Sequence, residues 1–454
     1  MSEVNNIELF ERTPVSKAVM KLAFPTILSC LVMVIYNMVD TYFVGMLNVP
    51  IQSAAVALAA PVMLAFNAVT NLFGVGTSSM MSRCLGRKDY ETVQRSSAFG
   101  FYSALFCGVL FAVGCTLFRE PLLIVLGTDS ENLLATGEYL KWTVTCGAVP
   151  SIMNVIFDYF VRAEGNAAQA SIGTMCGCLL NIILDPIFIL PWGLNMGAAG
   201  AGLATFLSNC AACTYFFVLL YCKRGKTFIC IHPAKFRADK KIVKEICTVG
   251  VPAAIQNLLN VTGMTVLNNF VTAYGSSAVA AMGIAQKLNT IPLYVAMGFS
   301  QGIMPLISYN YAGGNMRRMK QIILFTAKLS MAFMVVMVFA YYMGADYLIS
   351  VFMKNEGIIR YGGGFLRGLC LALPFLCMDF LAVGIFEACG MGKTAFVFAI
   401  LRKIVLEIPA LYLLNEIWPM YGLVYAQLIA EIILSAAAVS AVRKIIKGNS
   451  IICQ

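Results

Sequence analysis

Charge is what this sequence has least of. Asp, Glu, Lys and Arg make up 12% of its 454 residues, where a soluble chain carries about 25%. With 60% hydrophobic residues and a mean hydropathy of +0.81, an ordinary soluble globule is excluded, because its surface would be largely apolar. Histidine is nearly absent. The single one, His232, lies beside Pro233 in a polar stretch, so no nucleophile–base set or histidine-rich metal cage can be assembled around it. A secretory leader is not expected either. Glu3, Glu8, Glu11, Arg12 and Lys17 crowd the start, and no small-residue cleavage site precedes the first apolar run. A phosphate-binding loop is likewise lacking. "GMGKT" at 390–394 comes nearest, but Glu387 stands where the first glycine is required. These absences point away from an enzyme and from any organic cofactor.

Cysteine is present, 16 in all, mostly within apolar runs, as with Cys107, Cys176, Cys178, Cys210 and Cys377. That placement reads as small buried hydrophobes, not as zinc ligands or a disulfide framework. The formal charge of +10 is spread over short polar breaks, so nucleic acid is not expected as a partner.

What is abundant is the long apolar run. Such runs fall at about 24–46, 53–81, 96–118, 137–161, 168–190, 198–221, 246–272, 278–308, 321–344, 363–388, 395–415 and 421–442, each long enough to cross a bilayer. The fold expected is an all-α membrane protein of twelve transmembrane helices. Odd-numbered breaks at 47–52, 191–197, 273–277 and 416–420 contain no Lys or Arg. Even-numbered ones are basic: Arg83, Arg87, Lys88 and Arg95 after span two, Arg317, Arg318 and Lys320 after span eight, Arg443, Lys444 and Lys447 at the end. The positive-inside rule then puts both termini and the central loop in the cytoplasm of a multi-pass inner or plasma membrane protein.

The halves resemble each other at an offset of about 225 residues. Pro25 matches Pro252, Pro150 matches Pro374, and Pro186 matches Pro409; "FVRAEGNAAQA" aligns with "GIFEACGMGKTA". Each half has an even number of spans, so the repeat is parallel. The organisation expected is an N-terminal six-helix lobe (1–221), a linker (222–245) and a C-terminal six-helix lobe (246–454), with a cavity between the lobes.

"YNMVDTYFVGML" in span one, "AVALAAPV" opening span two and "GTSSMMSRCLGRKD" after it resemble the multidrug and toxic compound extrusion (MATE) family. So do "RAEGN", "NIILDP" and "GIMPLISYNYAGGN". The match runs from about residue 15 to 445 and is similar to the DinF-like and related prokaryotic branches. The resemblance implies a V-shaped pair of lobes that exchanges H⁺ or Na⁺ for small, amphipathic, often cationic organic compounds, and a monomer is expected. It also implies an acidic cluster in the first lobe. NorM-like members carry a glutamate in span seven; here Gln256, Asn257 and Asn260 stand there instead.

An acid in a span costs about 2.5–3.5 kcal/mol and needs a reason. Asp40 lies deep in span one with Asn37 one turn earlier, and Asp185 lies late in span five with Asn181 four residues before it. Pro186 frees the carbonyl of Ile182 beside them. Two such acids suit a site that loads and releases a proton, or Na⁺ held by Asp40, Asn181 and Asp185. Asn154 joins them as a candidate, while Asp158 has Arg162 one turn on. A second polar set comprises Asp379, Gln256, Asn260, Lys287 and Arg402, with Lys403 and Glu407 as charge partners across helices; Glu387 and Glu431 read as ordinary residues at cytoplasmic or interfacial positions. A lipid-linked oligosaccharide flippase of related architecture is the alternative, kept open by Lys287, Arg402 and Lys403.

Overall fold

The structure, a computed structural model, describes residues 2–447, with side chains from residue 7 onward. Among the described residues there is no strand, as expected where only helices or closed barrels can satisfy backbone hydrogen bonds away from water. A short helix, α1 (Ser2–Glu11), precedes α2 (Val15–Met46), α3 (Pro50–Gly86) and α4 (Tyr90–Leu117). The connector α5 (Arg119–Val125) leads into a bent span of α6 (Leu133–Leu140), a π-helical segment (Lys141–Cys146) and α7 (Ala148–Ala163). The first lobe closes with α8 (Ala167–Ile189) and α9 (Ala198–Cys222). The second runs through α10 (Lys240–Thr272), α11 (Ser276–Ala312), α12 (Met316–Phe352), α13 (Glu356–Cys370) with α14 (Leu373–Ala388), α15 (Gly392–Ile400), a π segment (Leu401–Glu407), α16 (Ile408–Ile417) and α17 (Gly422–Ile446).

By length and composition, nine described helices cross a membrane alone, and two bent pairs raise that to eleven. The remaining span, α15 to α16, is interrupted by a π segment carrying Arg402, Lys403 and Glu407, which is why apolarity alone understates it. The bends are 50° between α6–π and α7 and 44° between α13 and α14. They occupy matching spans, with Pro150 and Pro374 at the start of each second half. A proline in the first turn tolerates its missing N–H but cannot continue a straight helix from before it. Several helices overrun the bilayer: α3, α11 and α12 each have 37 residues, where about 20 suffice. The polar "GTSSMMSRCLGRKD" is therefore mostly the last turns of α3 rather than a loop. Asp89, Asn315 and Asn355 cap the following helices by accepting from Thr92, Arg318 and Ile358 N–H at 3.1, 3.1 and 3.2 Å.

The lobes meet along two seams, α2 against α11 and α3 against α10. Each seam runs through glycines. A Cβ on Gly298 or Gly302 would lie 2.7 Å from the Cα of Ile27 or Ala23, and one on Gly250 would strike the Leu72 carbonyl. These contacts fall in the half of the molecule that carries the termini and the 223–239 loop. Toward the other end α2 and α10 lose their burial, and the lobes splay into a V. The closed end is reinforced by Arg83 with Glu245 at 3.4 Å and by Arg162 Nη1 donating to Gln301 at 3.2 Å. Helix α1 lies across both lobes there. Phe10 stacks on Tyr309 at 4.8 Å, and a Cβ on Gly165 would meet the Phe10 ring. Arg318 donates to the Phe10 carbonyl at 2.7 Å, and Tyr309 donates to Glu11 at 2.7 Å.

Glu164 follows α7 outside the spans and pins the central loop. It accepts from Phe228 N–H at 2.5 Å, Ile229 N–H at 2.9 Å and Thr227 Oγ1 at 2.8 Å. Burial pushes its carboxyl up to about 7, although those hydrogen bonds pull the other way.

Candidate functional site

The first polar region lies inside the first lobe. α2 packs along α8, and α8 along α9, which gathers acids from separate spans. Asp185 is 0% exposed and Asn181 2%. Oriented by its neighbours, the Asn181 amide donates to Asp185 at 2.8 Å while its oxygen accepts from Thr205 Oγ1 at 3.3 Å. Asn209 donates to the Thr205 carbonyl at 2.9 Å and accepts from Asn154 at 3.1 Å. A hydrogen-bonded chain thus runs from Asp185 to Asn154. The Tyr36 hydroxyl reaches Thr205. Tyr139 lies within electrostatic reach of both Asp40 and Asp185, and Asp40 acts on Asp185 directly.

Asp40, Asp185, Asn181 and Asn154 therefore converge. Asn37 does not: it is exposed and donates to the Met33 carbonyl of its own helix at 2.9 Å. The residue of that turn that joins Asp40 is Tyr36. Four residues advance a helix by about 40° past one turn, whereas three fall about 60° short, so Tyr36 and Asn37 diverge. Tyr36, Tyr139, Thr205 and Asn209 carried no sequence signal beyond being polar in apolar runs. Asp158 pairs with Arg162 at 2.7 Å and accepts from Thr174 at 3.2 Å. A cavity of about 210 Å³ sits among these helices, lined by Tyr36, Asn154, Asn181, Thr205, Ser208 and Asn209. Neither Asp40 nor Asp185 is on its wall.

Asp40 Oδ1 is buried without a hydrogen-bond partner, an unused hard acceptor beside a second carboxyl. Asp40, Asp185 and Asn181 fit Na⁺ on that ground, and the two carboxyls also fit a shared proton. Among the described residues, no three His, Cys, Asp or Glu side chains are gathered as a metal site.

The second region is the cleft between the lobes, about 440 Å³, reached by Asn71 and Tyr159 from one lobe and Gln256, Asn260, Phe380 and Arg402 from the other. Behind its wall, Arg402 Nε donates to Glu431 at 2.7 Å and Arg402 Nη1 lies 3.5 Å from Asp379. Lys403 pairs with Glu407 at 2.6 Å. Gly263 leaves room for that pair, since a Cβ there would lie 3.0 Å from Lys403 Cδ. Two expectations need correction. Glu431 is not interfacial but 0% exposed, because α17 turns it inward to Arg402. Lys287 makes no ion pair among the described residues; it is exposed on α11 and does not line the cleft. Glu387 lines the cleft as well.

Two bent-helix lobes that close at one end around a shared cleft, with a separate acidic cluster inside one of them, are the build of a membrane transporter. The MatE family model matches residues 25–187 and 252–413. The multidrug export protein MepA of Staphylococcus aureus (strain MRSA252) is 32% identical over 431 residues, covering 94% of each chain. MepA of Staphylococcus saprophyticus is 33% identical over 430 residues, again covering 94% of each. A crystal structure of MATE in complex with MaL6 superposes with a TM-score of 0.91 at 25% identity, covering 98% of each chain. An outward-facing multidrug resistance MATE transporter gives 0.92 at 24%, with the same coverage. This chain belongs to the MATE family of multidrug efflux transporters.

Proposed function

We propose that the protein exports small, amphipathic organic cations across the cell membrane in exchange for protons, by rocking its two lobes about the central cleft, and that it works as a monomer. The observation that carries the exchange is the proximity of Asp40 to Asp185 inside the first lobe, apart from the cleft. Separate sites within one two-state body allow proton and substrate to bias the same equilibrium without competing for one space. Proton coupling is favoured over Na⁺ because the Asn181 amide turns its N–H, not its oxygen, toward Asp185, which withdraws a neutral oxygen ligand from a Na⁺ site there. The basic loops support cytoplasmic termini, and with that orientation the cleft opens outward. The flippase reading is disfavoured by the neutralisation of Arg402 and Lys403, since a pyrophosphate-linked lipid needs free cations.

The experiment is transport of a fluorescent organic cation in proteoliposomes, with pH and Na⁺ gradients imposed separately. Uptake against its gradient driven by ΔpH alone is expected. Drive by Na⁺ alone would replace H⁺ with Na⁺, and drive by neither would reject antiport.

A further inference from the structure

Within the cleft, one charge stands apart from the rest. Arg402, Lys403 and Glu407 also line it, but each is tied into an ion pair. Glu387 has no cationic partner within 4 Å among the described residues. Only its backbone is engaged, accepting from Ser79 Oγ of the other lobe at 2.5 Å. The internal repeat explains how the charge comes to be unpaired. α7 (148–163) and α14 (373–388) match at an offset of about 225, so Glu387 is the counterpart of Arg162. Arg162 is neutralised by Asp158 one turn earlier. The residue matching Asp158 is Val383. The first lobe therefore supplies its floor charge with a partner, and the second lobe supplies a methyl surface.

Tyr159, Tyr294, Met297 and Met304 share the cleft with Glu387, while the Phe380 ring is already covered by the Arg402 guanidinium at 4.8 Å. Aromatic faces and thioethers attract a soft, delocalised cation, and a lone carboxylate at the floor fixes where its charge sits. We infer that Glu387 anchors the positive charge of the transported molecule, a monovalent organic cation bearing aromatic rings. The inference rests on the export reading above and names the residue that gives it charge selectivity.

The test uses two ions of the same shape and opposite charge, tetraphenylphosphonium and tetraphenylborate, with binding to the purified full-length protein measured by calorimetry. Wild type is expected to prefer the phosphonium. Glu387→Gln should weaken the phosphonium about tenfold, which is about 1.4 kcal/mol at 25 °C, and leave the borate within about twofold. Glu387→Asp should keep the preference and Glu387→Lys should invert it. Unchanged phosphonium affinity in Glu387→Gln, or equal losses for both ions, would overturn the assignment while leaving the export reading intact. Wild type that binds neither ion would overturn both.

Discussion

Asp40 and Asp185 arrive on different helices and share Tyr139 as a neighbour, so their protonation is expected to be a property of the pair. Asp40→Asn should reduce gradient-driven efflux to no more than about a tenth of wild type, and Asp185→Asn should do nearly as much. The double mutant should be scarcely worse, as for residues acting as a unit. Efflux rates at matched expression check this; losses that multiply would assign the acids to separate roles. Glu164 makes a different prediction. Its carboxyl is raised from 4.5 to about 7 in place, so the docked loop holds one more proton than the undocked one between those values. Docking is then strongest at low pH and weakens as pH rises through about 7. Amide exchange at Phe228 and Ile229, corrected for intrinsic base catalysis, should accelerate across that range. Glu164→Gln should flatten the trend, and a flat profile in wild type would refute it.

At the scale of elements, the spans were legible because lipid demands long apolar runs, and no tertiary information is needed to see them. The bends were half legible. Pro150 and Pro374 punctuate the sequence, yet the 50° and 44° angles depend on what each half packs against. Helix overrun at α3 was hidden, because Arg83 read as part of the basic break after span two until the other lobe supplied its partner. Glu431 was misread for the same reason: its partner lies 29 residues away on another span. Within one helix the errors were smaller, and Asn37 in place of Tyr36 is a matter of a single position. The 223–239 loop carries a prediction of its own. If it is cytoplasmic, His232→Cys, in a background with other reactive cysteines removed, should label with an impermeant thiol reagent only after permeabilisation. Labelling of intact cells would invert the topology and, with it, the direction in which the cleft opens.

For the whole molecule, the closed end is a packed surface with little slack. Gly250 lies against the Leu72 carbonyl across the seam, so Gly250→Ala should strain closure by about 1–3 kcal/mol. A shift of that size moves a two-state equilibrium by about 5- to 150-fold toward the form opened on the side of the termini. Cys84 and Cys389 lie buried near this end, one in each lobe, and their thiol reactivity should rise in the variant. Unchanged reactivity would show that the seam accommodates a methyl group without opening.

Helix α1 has a consequence for how the protein is made. Its partners Tyr309 and Arg318 lie about 300 residues downstream. At roughly 5–20 residues per second, the ribosome reaches them some tens of seconds after α1 has emerged. Until then the greasy side chains of Leu9 and Phe10, 2% exposed in the finished protein, have no second lobe to rest on. The first segment synthesised is thus among the last to be seated, and a chain stopped after its first lobe leaves bare the face of Phe10 that Tyr309 covers in the finished protein.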